Sequence, residues 1–123
     1  MLWSLHYQGV NPAIGLRKVE HVLGVRPSGF RARDFFDPCQ HIQFFTTLQS
    51  GDWDAAVVEA LDLASRYSQR WLVSTRPGRL TGTTDERTVT EAVSLSFELD
   101  AAQYYRTEVV FMPAQRPSSD RAA

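Results

Sequence analysis

A chain of 123 residues, 43% hydrophobic and 22% charged, is long enough and apolar enough to bury one core without disulfides or a metal. Its 13 basic and 14 acidic residues leave a net charge of −1 at pH 7, which argues against a general nucleic-acid or membrane-surface binder, since those carry a basic excess. Cys39 is the only cysteine, so an intramolecular disulfide is excluded and a reducing cytoplasm is the expected setting. The first residues lack the charged start and unbroken apolar stretch of a signal peptide, and no run approaches the roughly 18 apolar residues of a membrane helix.

Leu2–Gln8 alternates, with Trp3, Leu5 and Tyr7 on one face and Ser4, His6 and Gln8 on the other, the pattern of a half-buried strand. Asn11 then caps a helix that starts at Pro12, where a missing N–H costs nothing. Leu16, Val19 and Leu23 form its buried stripe, Gly15 weakens it by about 1 kcal/mol relative to alanine, and Gly24 closes it. Ser28–Gln40 reads less sharply: it admits a short edge strand with basic outward positions, or a loop held by its phenylalanines. His41–Gln49 reads as a strand with Ile42, Phe44, Thr46 and Leu48 on one face, and Ser50-Gly51-Asp52 turns the chain.

The strongest pattern is the helix Trp53–Ser68, capped by Asp52, with Trp53, Ala56, Val57, Ala60, Leu61 and Ala64 at helical spacing. A strand over Arg70–Thr75 follows. Val89–Leu99 alternates cleanly, with Val93, Leu95, Phe97 and Leu99 inward and Thr90, Ser94, Ser96 and Glu98 outward. Between these strands Arg76–Thr88 reads as a loop with one core-type residue, Leu80, and with three arginines, two glycines and four threonines. Loops of that length are usually functional or disordered. Glu108–Met112 is a candidate edge strand, and 113–123 reads as a flexible tail behind a single domain over 1–112.

The order of elements predicts an α+β fold: a mostly antiparallel sheet of four to five strands with two helices on one face, ferredoxin-like or a variant of it. Trp3, Trp53 and Trp71 all point to the core by pattern. The opposite sheet face carries Ser4, His6, Gln43, Phe45, Ser94, Ser96 and Glu98. It is polar and offers one aromatic, too few for base stacking, so nucleic acid is not the expected partner.

Two groups of residues carry candidate chemistry. The first is the start of the loop with its acidic end: Arg76, Arg79 and Arg87 offer forked donors, and Asp85 and Glu86 offset them, which makes a charge-patterned tip suited to a protein contact. Phe36 belongs with this group, because Phe35 and Phe36 cannot both face inward on a strand and an aromatic flanked by Asp34 and Asp37 makes a partner anchor. The second group is His6, Cys39 and His41, with Asp34 or Asp37 able to orient an imidazole. No ligand spacing for a metal, nucleophile elbow or phosphate-binding glycine loop accompanies it, so neither a metal nor a cofactor is expected.

The leading expectation is therefore a small cytoplasmic non-catalytic protein that acts by binding a protein partner, of the immunity or antitoxin inhibitor kind. The alternative is a ferredoxin-like small-molecule-binding domain or small enzyme using His6 and the Asp34–His41 segment. An unpaired strand edge would also permit a homodimer.

Overall fold

The computed structural model describes residues 1–9, 11–36 and 39–102, with backbone alone over 30–36 and at Cys39. Eight elements follow in chain order: β1 (Leu2–Tyr7), α1 (Pro12–Leu23), β2 (Gly29–Phe36), β3 (Cys39–Phe45), α2 (Trp53–Ser65), β4 (Leu72–Arg76), β5 (Arg79–Thr84) and β6 (Ala92–Asp100). They build one six-stranded sheet of order β2-β3-β1-β6-β5-β4 in which every neighbouring pair is antiparallel. The α+β class and the two helices on one face are as expected, and the β2-β3-β1-β6 part follows the β-α-β-β-α-β connectivity of a ferredoxin-like unit. The hairpin β4–β5 is inserted between α2 and β6 and extends the sheet past β6. It raises the strand number to six. The expected strand Glu108–Met112, the tail over 113–123 and the boundary between them lie outside the described residues.

The alternation seen in β1 sets the layers. Trp3, Leu5 and Tyr7 pair in register with Phe44, Ile42 and Gln40 of β3, and Trp3 and Leu5 with Phe97 and Leu95 of β6. Trp3, Leu5, Ile42, Phe44, Leu95 and Phe97 share one core with Val19 and Leu23 of α1 and with Ala56, Ala60, Leu63 and Ala64 of α2. Trp53 and Trp71 are packed against this core and half-buried. Among the described residues, no helix is long and apolar enough to cross a membrane.

Both helix starts are capped as expected. The side chain of Asn11 accepts from the Ala13 N–H at 3.0 Å, and that of Asp52 from the Ala55 N–H at 2.9 Å. Helix α2 ends at Ser65, three residues earlier than its pattern predicts. Tyr67 and Ser68 are buried all the same, because they tie the helix end to the segment before β6: Tyr67 Oη donates to the Glu86 carbonyl at 3.2 Å and Ser68 Oγ to Glu86 Oε1 at 2.6 Å.

Gly15 faces the ring of Tyr7, and a Cβ there would lie 2.9 Å from three ring atoms. Helix propensity predicts that Gly15→Ala gains about 1 kcal/mol. Overpacking in a well-filled core costs about 1–3 kcal/mol, so the expected net result is a loss of stability, read as a lower thermal midpoint.

Glu59 of α2 holds the β3–α2 connection. Its carboxylate accepts the Gln49 N–H at 2.9 Å, the Ser50 N–H at 2.9 Å and the Ser50 hydroxyl at 2.7 Å. Burial alone would raise its pKa, but the hydrogen bonds from Gln49 and Ser50 outweigh it and hold the carboxyl below its ordinary 4.5. A depressed folded-state pKa contributes stability above the unfolded value and loses it as pH falls through the folded one. Urea unfolding followed downward from pH 5 is expected to show that loss, and Glu59→Gln to flatten the slope.

Candidate functional site

The stretch between Thr75 and Val89 is not a long loop. Pro77 and Gly78 form a two-residue turn, with Gly78 at φ 73°, a left-handed position that glycine takes without a Cβ clash, and the chain returns at once as β5. Leu80, Gly82 and Thr84 of β5 are buried and face Leu99, Phe97 and Leu95 of β6. Its inward face does not read as hydrophobic because one position is the glycine that receives the Phe97 ring and another is a threonine. The β-branched Thr81, Thr83 and Thr84 after a Pro-Gly turn are the signals that mark it as a strand.

A second departure lies at the start of β6. The register shifts between His6 and Tyr7: His6 pairs with Ser94 but Tyr7 with Ala92. Val93 is the extra residue of this irregularity and stays half-buried, while Ala92 takes the inward position expected of Val93.

These corrections divide the arginine group. Arg76 and Arg79 face each other across the β4–β5 turn, whereas Asp85, Glu86 and Arg87 follow the other end of β5. At about 3.3 Å per residue the strand separates the two ends by roughly 17 Å. Arg79 Nη2 pairs with Glu98 Oε2 at 2.8 Å. Arg76 makes no ion pair among the described residues, and with Ser74, Arg79 and Thr81 it lines a small polar depression of about 220 Å³. Glu86 is held by Ser68 and Tyr67, while Asp85 and Arg87 are exposed. The backbone of Phe36 is in β2, opposite Cys39, and its side chain lies outside the description.

Between these charged ends runs β4, all five of whose residues are exposed, with Leu72 at 78% and Val73 at 45%. Among the described residues no strand pairs with its outer side. In a two-residue hairpin the residues flanking the turn exchange both backbone hydrogen bonds, and the pattern alternates from there. Arg76, Ser74 and Leu72 thus point their N–H and C=O groups at β5, and Val73 and Thr75 point theirs outward. Charges, prolines and bulges normally protect such an edge. Here Arg76 is the only one of these devices in the strand. On the sheet face without helices, the edge adjoins a groove of about 490 Å³ lined by Leu2, Ser4, Leu72, Thr83, Ser96 and Glu98 among others.

The second group is brought together in part. His6 and His41 are register partners on β1 and β3, with ring centroids 5.0 Å apart, and His6 Nδ1 lies 3.0 Å from Ser94 Oγ. This pair sits on the face without helices beside Ser4, Gln43 and Ser96. Cys39 is two residues before His41 on the same strand, and the side chains of Asp34 and Cys39 and all of Asp37 lie outside the description. No group of three His, Cys, Asp or Glu placed to hold a metal occurs among the described residues. Two rings in contact with a hydroxyl nearby can pass a proton or bind a polar ligand.

The chain matches no protein-family model, no curated protein and no solved structure.

Proposed function

We propose that the chain works as a binding protein whose β4 edge receives an extended, acidic segment of a protein partner. The observation that carries this reading is the edge strand Leu72–Arg76, exposed at every residue, with outward backbone groups at Val73 and Thr75. A peptide laid along it gains main-chain hydrogen bonds, the mode of β-strand addition, and the exposed Leu72 and Val73 supply apolar contact. The Arg76 guanidinium in its polar depression asks for a carboxylate on the incoming strand. Arg79 supports the same end, and Asp85, Glu86 and Arg87 flank the other, so the ends of the bound segment meet different charges. An inhibitor of the immunity or antitoxin kind, acting in the cytoplasm, is the role we attach to such an edge, since sequestering an extended segment blocks its use.

The test is selection of displayed random decapeptides on the immobilised chain, with Thr75→Pro as the comparison. Proline at Thr75 removes one of the two outward N–H groups open to a partner strand and leaves the β4–β5 hydrogen bonds intact. Selected peptides are expected to be rich in β-branched residues and acids, and to bind Thr75→Pro at least tenfold more weakly. Selected peptides that bind the variant equally well, or that carry no acid, contradict the reading. So does a concentration-dependent dimer by sedimentation that Thr75→Pro abolishes, because a second copy would then own the edge.

The contact of His6 with His41 favours a second reading, a ligand-binding domain or small enzyme on the polar face. Under it, His6→Ala and His41→Ala abolish the biological activity while the fold is kept. Under the edge reading both leave peptide binding unchanged.

A further inference from the structure

We infer that the groove between α1 and the segment Thr88–Thr90 is a second binding site, and that its ligand is an amphiphilic carboxylate: an acid group on an aliphatic tail. The groove is about 510 Å³, within the range of small-molecule sites. Ile14, Val22 and Val89 supply an apolar wall, and Ile14 keeps 43% of its surface exposed. Arg17, Lys18 and His21 line the same groove, and among the described residues no acidic side chain does. Arg17 and His21 stand four residues apart and share one side of the helix. Arg17 makes no ion pair among the described residues, and Lys18, the only lysine of the chain, reaches Glu91 at 3.6 Å. A chain of net charge −1 thus sets the cations Arg17 and Lys18 beside a partly exposed apolar wall, and an anion with an apolar tail satisfies both.

The groove is also pre-formed, which lowers the ordering cost of binding. Glu91 follows Thr90 at φ 75°, a left-handed conformation that glutamate rarely adopts. Its carbonyl accepts the Gln8 N–H at 2.8 Å, and its carboxylate accepts the Tyr7 hydroxyl at 3.1 Å. Burial, and then the bond to Glu91, raise the Tyr7 pKa, so the phenol stays a donor. Strained residues held by several contacts cluster at ligand clamps. The site lies on the helical side of the sheet and stands independently of the β4 edge.

The experiment is titration of decanoate, below its micellar concentration, into the ¹⁵N-labelled full chain, with butyrate and decyltrimethylammonium as comparisons. Saturable shifts are expected at residues 14–22 and 88–91, with butyrate at least tenfold weaker and the cationic amphiphile not binding there. Arg17→Ala, an exposed position, is expected to weaken decanoate at least tenfold, and Ile14→Glu to abolish its binding, both with the dispersed spectrum of the folded chain. Absence of shifts in this region, equal binding of the cationic amphiphile, or unchanged affinity in Arg17→Ala overturns the assignment.

Discussion

Trp3→Ala is expected to cost about 3–5 kcal/mol of folding stability, the usual loss for a large buried aromatic. Trp3 is fully buried at the centre of the sheet and touches rings on three sides: Phe44 stacked at 5.9 Å, Phe97 at 5.7 Å and Trp71 edge-on at 6.3 Å between centroids. Its indole N–H donates to Thr46 Oγ1 at 2.9 Å inside the core, so truncation also leaves the buried threonine hydroxyl without its donor. Domains of this size are stable by about 5–15 kcal/mol, so the loss removes a large part of the folding free energy. Trp3→Phe keeps most of the packing and should cost far less. Urea unfolding at 25 °C measures both, and a loss under about 1 kcal/mol for Trp3→Ala would mean that the ring cluster is not the centre of the core.

Gly82→Ala should also be damaging, although it adds one methyl group in a strand. A Cβ at residue 82 would stand 2.4 Å from Cε2 and 2.6 Å from Cζ of Phe97. The ring has little room to retreat, because it is buried and packs on Trp71 at 5.1 Å as well as on Trp3. A loss of about 1–3 kcal/mol is expected, with β5 pushed away from β6. Phe97→Leu should partly rescue it, so the double variant should be more stable than the sum of the single losses predicts. Strictly additive losses would show that the ring is not what the glycine accommodates. The binding edge depends on this packing, since β4 is attached to the sheet only through β5 among the described strands.

Gly82 also explains why the hairpin was hidden in the sequence. Local patterns carry the caps at Asn11 and Asp52, the helices and the alternation of β1 and β6, because each is written in neighbouring residues. The inward face of β5 is written elsewhere: its missing side chain is supplied by Phe97, fifteen positions later. Without that pairing, Arg76–Thr88 reads as a polar loop and gathers three arginines that the fold places at two ends of a strand. The irregularity opposite His6 and Tyr7 is hidden for the same reason, since a register shift is a property of two strands. The approach of His6 to His41 was legible as two polar-face residues on possible neighbouring strands, and the antiparallel register of β1 and β3 supplies the contact. The exposed edge was not legible, because Leu72 and Val73 look like core residues until the strand order leaves them outermost. Trp71, the residue before them, does reach the core and donates its indole N–H to the Ala64 carbonyl at 2.9 Å.

Hydrogen exchange at the five backbone amides of β4 tests the edge reading most directly. In the free chain the Val73 and Thr75 amides are expected to exchange as solvent-facing groups, while those of Leu72, Ser74 and Arg76 are slowed by β5. Addition of a selected acidic peptide should slow Val73 and Thr75 at least tenfold, without a comparable change at the other three. Val73 and Thr75 already protected in the free monomer, or left unprotected in the saturated complex, would contradict the account.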